Sequence, residues 1–178
     1  MDNSPTTALV DAETAMKAVH NEMAVIAAPG KVKARLDQIA QKQTTVDRYF
    51  ESARADLKET RAFVKSSNLL PLPTRDNLQV IETPEFMRGI YAVGGFNSAP
   101  AMEPQLGAFY WITPIPKSWP KERVQSKLRE YNTAALKLLT IHEAMPGHYV
   151  QQEYANSIEP KWRRALRSVY GKDRKSVV

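Results

Sequence analysis

Thr140-Ile-His-Glu-Ala-Met-Pro-Gly-His-Tyr-Val-Gln151 is the stretch that decides the fold, because it places two of the three histidines beside a carboxylate. Apolar residues precede it at helical spacing, and the same spacing continues to His142. These residues are Val124, Leu128, Tyr131, Ala135 and Leu138. The pattern predicts one long amphipathic helix that opens at Ser118-Trp-Pro120 and carries His142 on its buried face. A buried imidazole needs a partner, because burying an unpaired polar group costs about 1–3 kcal/mol.

The spacing of the two histidines departs from the common zinc-peptidase pattern H-E-x-x-H. In that pattern the histidines lie about 40° apart around one helix, so both reach one ion. His142 and His148 are instead separated by about 240° on an ideal helix, which would point their rings apart. Pro146 and Gly147 lie between them, and this pair breaks regular helix geometry. We therefore predict a break that turns His148 back towards His142, with Glu143 beside the pair.

Four blocks of sequence carry a resemblance to a known family. They are Ile81–Gly89, Phe109–Pro116, Leu128–Asn132 and Leu139–Gln151. Together they resemble the bacterial "domain of unknown function 885" family over roughly residues 47–170. That family is similar to zinc metallopeptidases with mostly helical folds. The resemblance implies a zincin-like fold in which His142 and His148 are zinc ligands and Glu143 is the general base.

The resemblance also implies that the chain is incomplete at both ends. In that family the third zinc ligand is a Glu in a Glu-Gly-Trp-Ala block downstream of the second histidine, whereas no Glu follows Glu159 here. Family members also carry a long helical region ahead of the matched part. Residues 173–178 are expected to be a non-native tail, because codons for Asp-Arg-Lys-Ser-Val-Val can spell a widely used sequencing adapter. Such a fragment is expected to be inactive alone.

Composition and charge exclude several classes of function. The chain has 178 residues, of which 43% are hydrophobic and 25% charged, as in ordinary globular proteins. Its net charge of +6 comes without a run of five like charges or an aromatic-basic signature, so we expect no nucleic-acid partner. No apolar run approaches the roughly 18 residues of a membrane span. Cysteine is absent, which excludes disulfides and thiolate chemistry and leaves both extracytoplasmic and cytoplasmic locations open.

The chain is predicted to form one domain that is mainly α with a small β-element. Residues 1–70 are predicted as a helical segment of two long helices, the second interrupted near Thr44-Thr45. Residues 71–120 are predicted as loops and short strands. Residues 121–172 are predicted to hold the active-site helix and the helix that follows it.

Within residues 71–120, strands are predicted at Leu78–Glu82 and Gly107–Thr113, and a loop at 94–104. Pro114 closes the second strand, which suits a strand at the edge of a sheet. An exposed edge can bind an extended peptide as one more strand, so Tyr110 and Trp111 are predicted to bind substrate. The alternative is that Phe109 and Trp111 of this strand simply pack in the core on one face.

The predicted function is a zinc-dependent, peptidase-like hydrolase that acts on a peptide or small amide. In this interpretation zinc activates a water molecule and polarises the scissile carbonyl, and Glu143 moves the water's proton to the leaving amine. One alternative is a non-catalytic interaction or scaffold protein on the same fold. Another is a buried pair of histidines that bind backbone carbonyls instead of a metal.

Overall fold

The computed structural model describes residues 4–165. They form seven α-helices and a three-stranded sheet, which confirms the prediction of a mainly helical chain with a small β-element. The chain divides into two compact units, one up to Lys42 and one from Gln43 onward. This boundary falls inside residues 1–70, which were predicted as one helical segment of a single domain. The predicted tail, residues 173–178, lies outside the described residues.

The first unit consists of helices α1 (Pro5–Ala27) and α2 (Val32–Ala40). Ser4 caps α1, because its side-chain oxygen accepts a hydrogen bond from the Thr7 backbone N–H at 3.2 Å. Pro5 follows at the first helical position, where its missing N–H costs nothing. The predicted first helix is therefore confirmed.

The second unit begins with a break and then helix α3 (Tyr49–Ser66). The interruption expected near Thr44 and Thr45 extends over residues 41–48, so three helices rather than two occupy residues 1–70. The Thr44 hydroxyl lies 2.9 Å from the Ser52 hydroxyl.

The sheet contains β1 (Leu78–Glu82), β2 (Gly94–Asn97) and β3 (Ala108–Ile112), in the order β1-β3-β2. Strand β1 runs parallel to β3, and β2 runs antiparallel to it. The predicted strands at β1 and β3 are confirmed. Strand β2 was missed inside the predicted loop 94–104, because its two glycines have low strand propensity. The prediction that β3 is an edge strand is wrong, since β3 pairs on both sides.

One hydrophobic core joins the sheet to the helices of the second unit. Helix α3 contributes a face with successive steps of four, four, three and four residues, as expected of an amphipathic helix. Strand β3 lies at the centre, because four of its five residues are buried. The main buried side chains are Tyr49, Ala53, Leu57, Val64, Val80, Tyr110, Ile112, Leu128, Leu136, Met145, Tyr149 and Val150.

The predicted long helix that ends at the histidines is two helices. Helix α4 covers Lys121–Glu130 and α5 covers Thr133–Glu143. Asn132 restarts the helix, because its side-chain oxygen accepts hydrogen bonds from the N–H groups of Ala134 and Ala135 at 3.1 and 3.2 Å. Helices α6 (His148–Ala155) and α7 (Trp162–Ala165) follow.

The restart at Asn132 changes which face of α5 is buried. The buried positions are Leu136 and Thr140, whereas Leu138 is 66% exposed. His142 is exposed as well. The prediction that His142 lies on the buried face is therefore wrong, because the apolar spacing of α4 does not continue through the cap.

Replacement of Asn132 by Ala should destabilise the second unit, because two N–H groups at the start of α5 lose their acceptor. We expect a loss of about 1 kcal/mol in the free energy of unfolding, measured by urea denaturation. Asn132→Asp is the matched control, since its carboxylate retains an acceptor at the cap. Equal stability of the Ala and Asp variants would contradict the capping role.

Candidate metal centre

Helix α5 carries His142 and Glu143 and is fixed to the centre of the sheet two residues before them. The hydroxyl groups of Tyr110 and Thr140 lie 3.1 Å apart in the core. The Thr140 hydroxyl also donates to the carbonyl of Leu136 at 3.1 Å. Burial raises the pKa of the Tyr110 phenol, so it stays neutral. The last turn of α5 is therefore fixed in position against β3.

Ion pairs also hold α5 against α3. The Lys137 ammonium lies 2.8 Å from the Glu59 carboxylate and 3.6 Å from that of Asp56. Burial is the largest influence on Asp56 and raises the pKa of its carboxyl, while Lys137 opposes this rise. Because these groups are partly exposed to solvent, they serve mainly to align the two helices.

The chain breaks immediately after Glu143 and restarts as α6 at His148. The N–H groups of Ala144 and Met145 both donate to the carbonyl of Thr140, at 2.9 and 3.1 Å. The Gly147 N–H then donates to the carbonyl of Ile141 at 2.9 Å. These bonds fold residues 144–147 back over the end of α5, so that α6 begins beside the turn that carries His142.

The fold-back requires glycine at position 147. A Cβ atom there would overlap the carbonyl group of His142 and lie 2.5 Å from the carbonyl oxygen of Ile141. Both neighbours are backbone atoms of α5, which cannot move aside without unwinding the helix. The close approach of two backbone segments thus explains the glycine in the Pro-Gly pair.

The break brings the two histidine rings together. Their centroids lie 4.7 Å apart with an angle of 84° between the ring planes. One ligand atom each from His142, Glu143 and His148 lies within 4.8 Å of the others. The three side chains range from half-buried to exposed, so the group faces solvent. The sequence prediction that these three side chains meet agrees with this geometry.

These donors fit a divalent metal ion. Two ligands bound to one zinc at about 2.0–2.2 Å lie up to about 4 Å apart, so small side-chain rotations would close the group around an ion. Imidazole and carboxylate ligands suit zinc and also other first-row metals. His148 Nδ1 lies 3.2 Å from the Gln151 side-chain oxygen, and a hydrogen bond donated by Nδ1 would leave Nε2 available as a ligand atom.

A second anchor holds α6, through the residue that follows His148. The Tyr149 hydroxyl donates to the carbonyl of Arg75 at 2.8 Å and lies 3.2 Å from the side-chain oxygen of Asn77. One turn later the fully buried Glu153 carboxylate pairs with the Arg75 guanidinium at 2.8 Å. Sequence reasoning missed these residues, because more than seventy positions separate the partners and no local pattern signals the contact.

The chain resembles known proteins over most of its length. The family described as "Bacterial protein of unknown function (DUF885)" matches residues 2–171. The chain belongs to the DUF885 family. No curated protein matches it.

Two solved structures resemble this DUF885 chain. A candidate lipoprotein of unknown function from Shewanella oneidensis is 28% identical, with a TM-score of 0.63 over 89% of this chain and 30% of its own. A candidate lipoprotein from Colwellia psychrerythraea is 18% identical, with a TM-score of 0.58 over 83% of this chain and 25% of its own. The chain therefore spans less than a third of the length of either relative. Among the helices of residues 4–165, none is long and apolar enough to cross a membrane.

The predicted substrate-binding residues lie inside the second unit of this DUF885 chain. Tyr110 is fully buried and its hydroxyl is bound to Thr140, while Trp111 is 7% exposed and packs edge-on against Tyr91 at 5.2 Å between ring centroids. Both strands adjacent to β3 are present, so a peptide cannot add to it. Trp111 therefore packs in the core, as the alternative interpretation of this strand expected, and Tyr110 is buried there as well.

Replacement of Gly147 by Ala should disrupt the fold-back, because the added Cβ atom would overlap the His142 carbonyl. We expect a loss of about 1–3 kcal/mol in the free energy of unfolding by urea denaturation. Gly89→Ala is the matched control, because a Cβ atom at Gly89 meets nothing within 4 Å. An unchanged stability of Gly147→Ala would contradict the close backbone approach.

Proposed function

We propose that this DUF885 chain carries the catalytic metal centre of a zinc-dependent hydrolase that cleaves peptide or related amide bonds. The observation that carries the proposal is the convergence of His142, Glu143 and His148 within 4.8 Å across a broken helix. Two histidines that bind zinc, with a glutamate directly after the first that acts as general base, are the H-E-x-x-H residues of the zinc peptidases, although the spacing of the histidines here differs by two residues.

The two histidines would hold the ion and Glu143 would act on the substrate side. A bound zinc ion supplies Lewis acidity, which lowers the pKa of a water molecule towards about 7 and polarises a carbonyl group. Glu143 is half-buried at the last position of α5, beside His142. A carboxylate in this position can accept the proton of the attacking water and return it to the leaving amine.

The reaction balances as a simple hydrolysis. The water oxygen forms a bond to the carbonyl carbon, the carbon–nitrogen bond breaks, and a carboxylic acid and an amine result. Glu143 is regenerated when it passes its proton to the amine nitrogen. No oxidant, reductant or further co-reactant is needed.

The proposal also covers the third metal ligand and the cellular location of the protein. The sequence resemblance implies a third ligand from a Glu that this chain does not contain after Glu159. We propose an extracytoplasmic setting on the basis of the two structural relatives, which are described as candidate lipoproteins. We propose the same hydrolase activity for a whole protein of the length of these relatives.

Zinc titration tests the metal site directly. Isothermal calorimetry of the metal-free chain should detect about one equivalent of zinc, and the double variant His142→Ala, His148→Ala should lose it. His20→Ala is the matched control, because His20 is exposed on α1 in the first unit and should leave zinc binding unchanged. Zinc that remains bound to the double variant would refute the site.

The Glu143→Gln variant tests whether Glu143 is the general base or a metal ligand. In a longer protein that supplies the third ligand, it should retain zinc and lower the hydrolysis of blocked peptides by about 10²–10⁴-fold, measured as released amine. Glu122→Gln, at an exposed position of α4, should leave the rate unchanged. Loss of zinc from Glu143→Gln would identify Glu143 as a ligand, and a zinc-loaded longer protein without hydrolysis would favour the non-catalytic alternative.

A further inference from the structure

Helix α1 has an apolar stripe that its own unit leaves almost entirely uncovered. Of the 23 residues of α1, all of which the structure describes, only Ala27 is buried. Within residues 4–42 the other helix is α2, which has nine residues. Isolated helices are marginal in water, and most of their stability comes from packing of an apolar face. A helix as long as α1 therefore needs a further partner.

The stripe has the spacing of a coiled-coil seam. Its residues follow one another by three, four, three, four and three positions, which fills each a and d position of the heptad repeat between residues 9 and 26. A repeat of 3.5 residues is typical of helices that supercoil around a second helix. We call this stripe the α1 seam, and it consists of Leu9, Ala12, Met16, Val19, Met23 and Ile26.

The α1 seam faces solvent in the structure. Five of its six residues are exposed, and the sixth, Met23, is half-buried. The exposed fraction is 60% at Leu9 and 77% at Ile26, near the two ends of the helix. A continuous apolar stripe that stays exposed along a whole helix marks an interaction surface.

Two identical α1 seams fit one another when the helices run antiparallel. The a positions of one copy then lie opposite the d positions of the other, so that Leu9 meets Ile26 and Met16 meets Val19. A two-fold axis between the copies repeats each of these pairs. Every layer of such an interface is therefore filled by apolar side chains.

The residues beside the α1 seam favour the antiparallel direction. In that arrangement the e positions face each other, which brings Glu13 of one copy near His20 of the other, twice in each pair of helices. An imidazole N–H can donate a hydrogen bond to a carboxylate. Glu22, at a g position, faces Ala15, so no like charges meet. In a parallel pair Glu13 and His20 would instead face Ala8 and Ala15 and lose this contact.

We propose that α1 binds the α1 helix of a second copy of this chain through the α1 seam, as an antiparallel coiled coil, and that the chain is a dimer. Each copy contributes the same stripe, so the assembly closes at two copies. The dimer provides the packing partner that the first unit lacks. It is independent of the metal centre, so its failure would leave the proposed hydrolase unaffected.

Sedimentation equilibrium of the whole chain over a range of protein concentrations tests the dimer. Val19→Glu should raise the dissociation constant by about 100-fold or more, because each dimer would bury two carboxylates in the α1 seam. Val10→Glu is the matched control. Val10 and Val19 are 55% and 52% exposed, but Val10 lies outside the seam, so its replacement should change the constant by less than about threefold.

Disulfide cross-linking tests the direction of the helices. The chain contains no cysteine, so an introduced thiol can react only with another introduced thiol. Mild oxidation of an equal mixture of Leu9→Cys and Ile26→Cys chains should give a covalent dimer that contains one of each. Either variant alone should give none, because its two thiols would lie about 25 Å apart along the antiparallel coil.

A mixed covalent dimer, together with a selective effect of Val19→Glu, would support the proposal. A chain that sediments as a monomer at every concentration would overturn it, and so would equal weakening by Val10→Glu and Val19→Glu. Cross-linking of Leu9→Cys with itself would show a parallel pair and contradict the proposed direction. Monomers that lose more helix by circular dichroism with Val19→Glu than with Val10→Glu would assign the seam to a contact within one chain and overturn the dimer.

Discussion

The close approach of the Gly147 backbone to the carbonyl group of His142 is the constraint on which the candidate site depends. A regular helix through residues 142–148 would separate the two imidazoles by about 240°. The hydrogen bond from the Gly147 N–H to the Ile141 carbonyl folds four residues back over the end of α5 instead. Only a residue without a Cβ atom fits there, so a single backbone contact determines where the second histidine lies.

Two separate anchors fix the helices that carry His142 and His148 around that contact. The pair of hydroxyl groups from Tyr110 and Thr140 ties α5 to the central strand, and the Tyr149 hydroxyl ties α6 to the segment before β1. A buried hydrogen bond contributes about 1 kcal/mol, but removal of one partner costs more because the other stays buried and unpaired. A metal site tolerates little displacement of its ligands, so such rigid support suits the proposed chemistry. The sheet therefore acts as a platform for both helices.

The sequence predicted the site better than it predicted the elements that hold it. The Pro-Gly pair between the histidines predicts a helix break, because both residues disfavour regular helical backbone. The break in turn predicts that the two rings come together. The helix before the break was predicted wrongly. The apolar spacing of α4 does not continue past the cap at Asn132, and His142 is therefore exposed. Strand β2 was missed because glycine has low strand propensity, and the neighbour that leaves no room for a side chain at Gly94 is Trp111, which is distant in sequence. The anchors of Tyr149 are equally long-range, and no short pattern could reveal them.

X-ray absorption spectroscopy of the chain loaded with one equivalent of zinc tests the central claim most directly. The account predicts two imidazole nitrogens at about 2.0–2.1 Å from the metal, with oxygen atoms at the remaining positions. The multiple-scattering signal of the imidazole rings should disappear in the variant that lacks both His142 and His148. A zinc ion surrounded by oxygen alone, or by a single imidazole, would show that the broken helix does not bring the two rings to one metal.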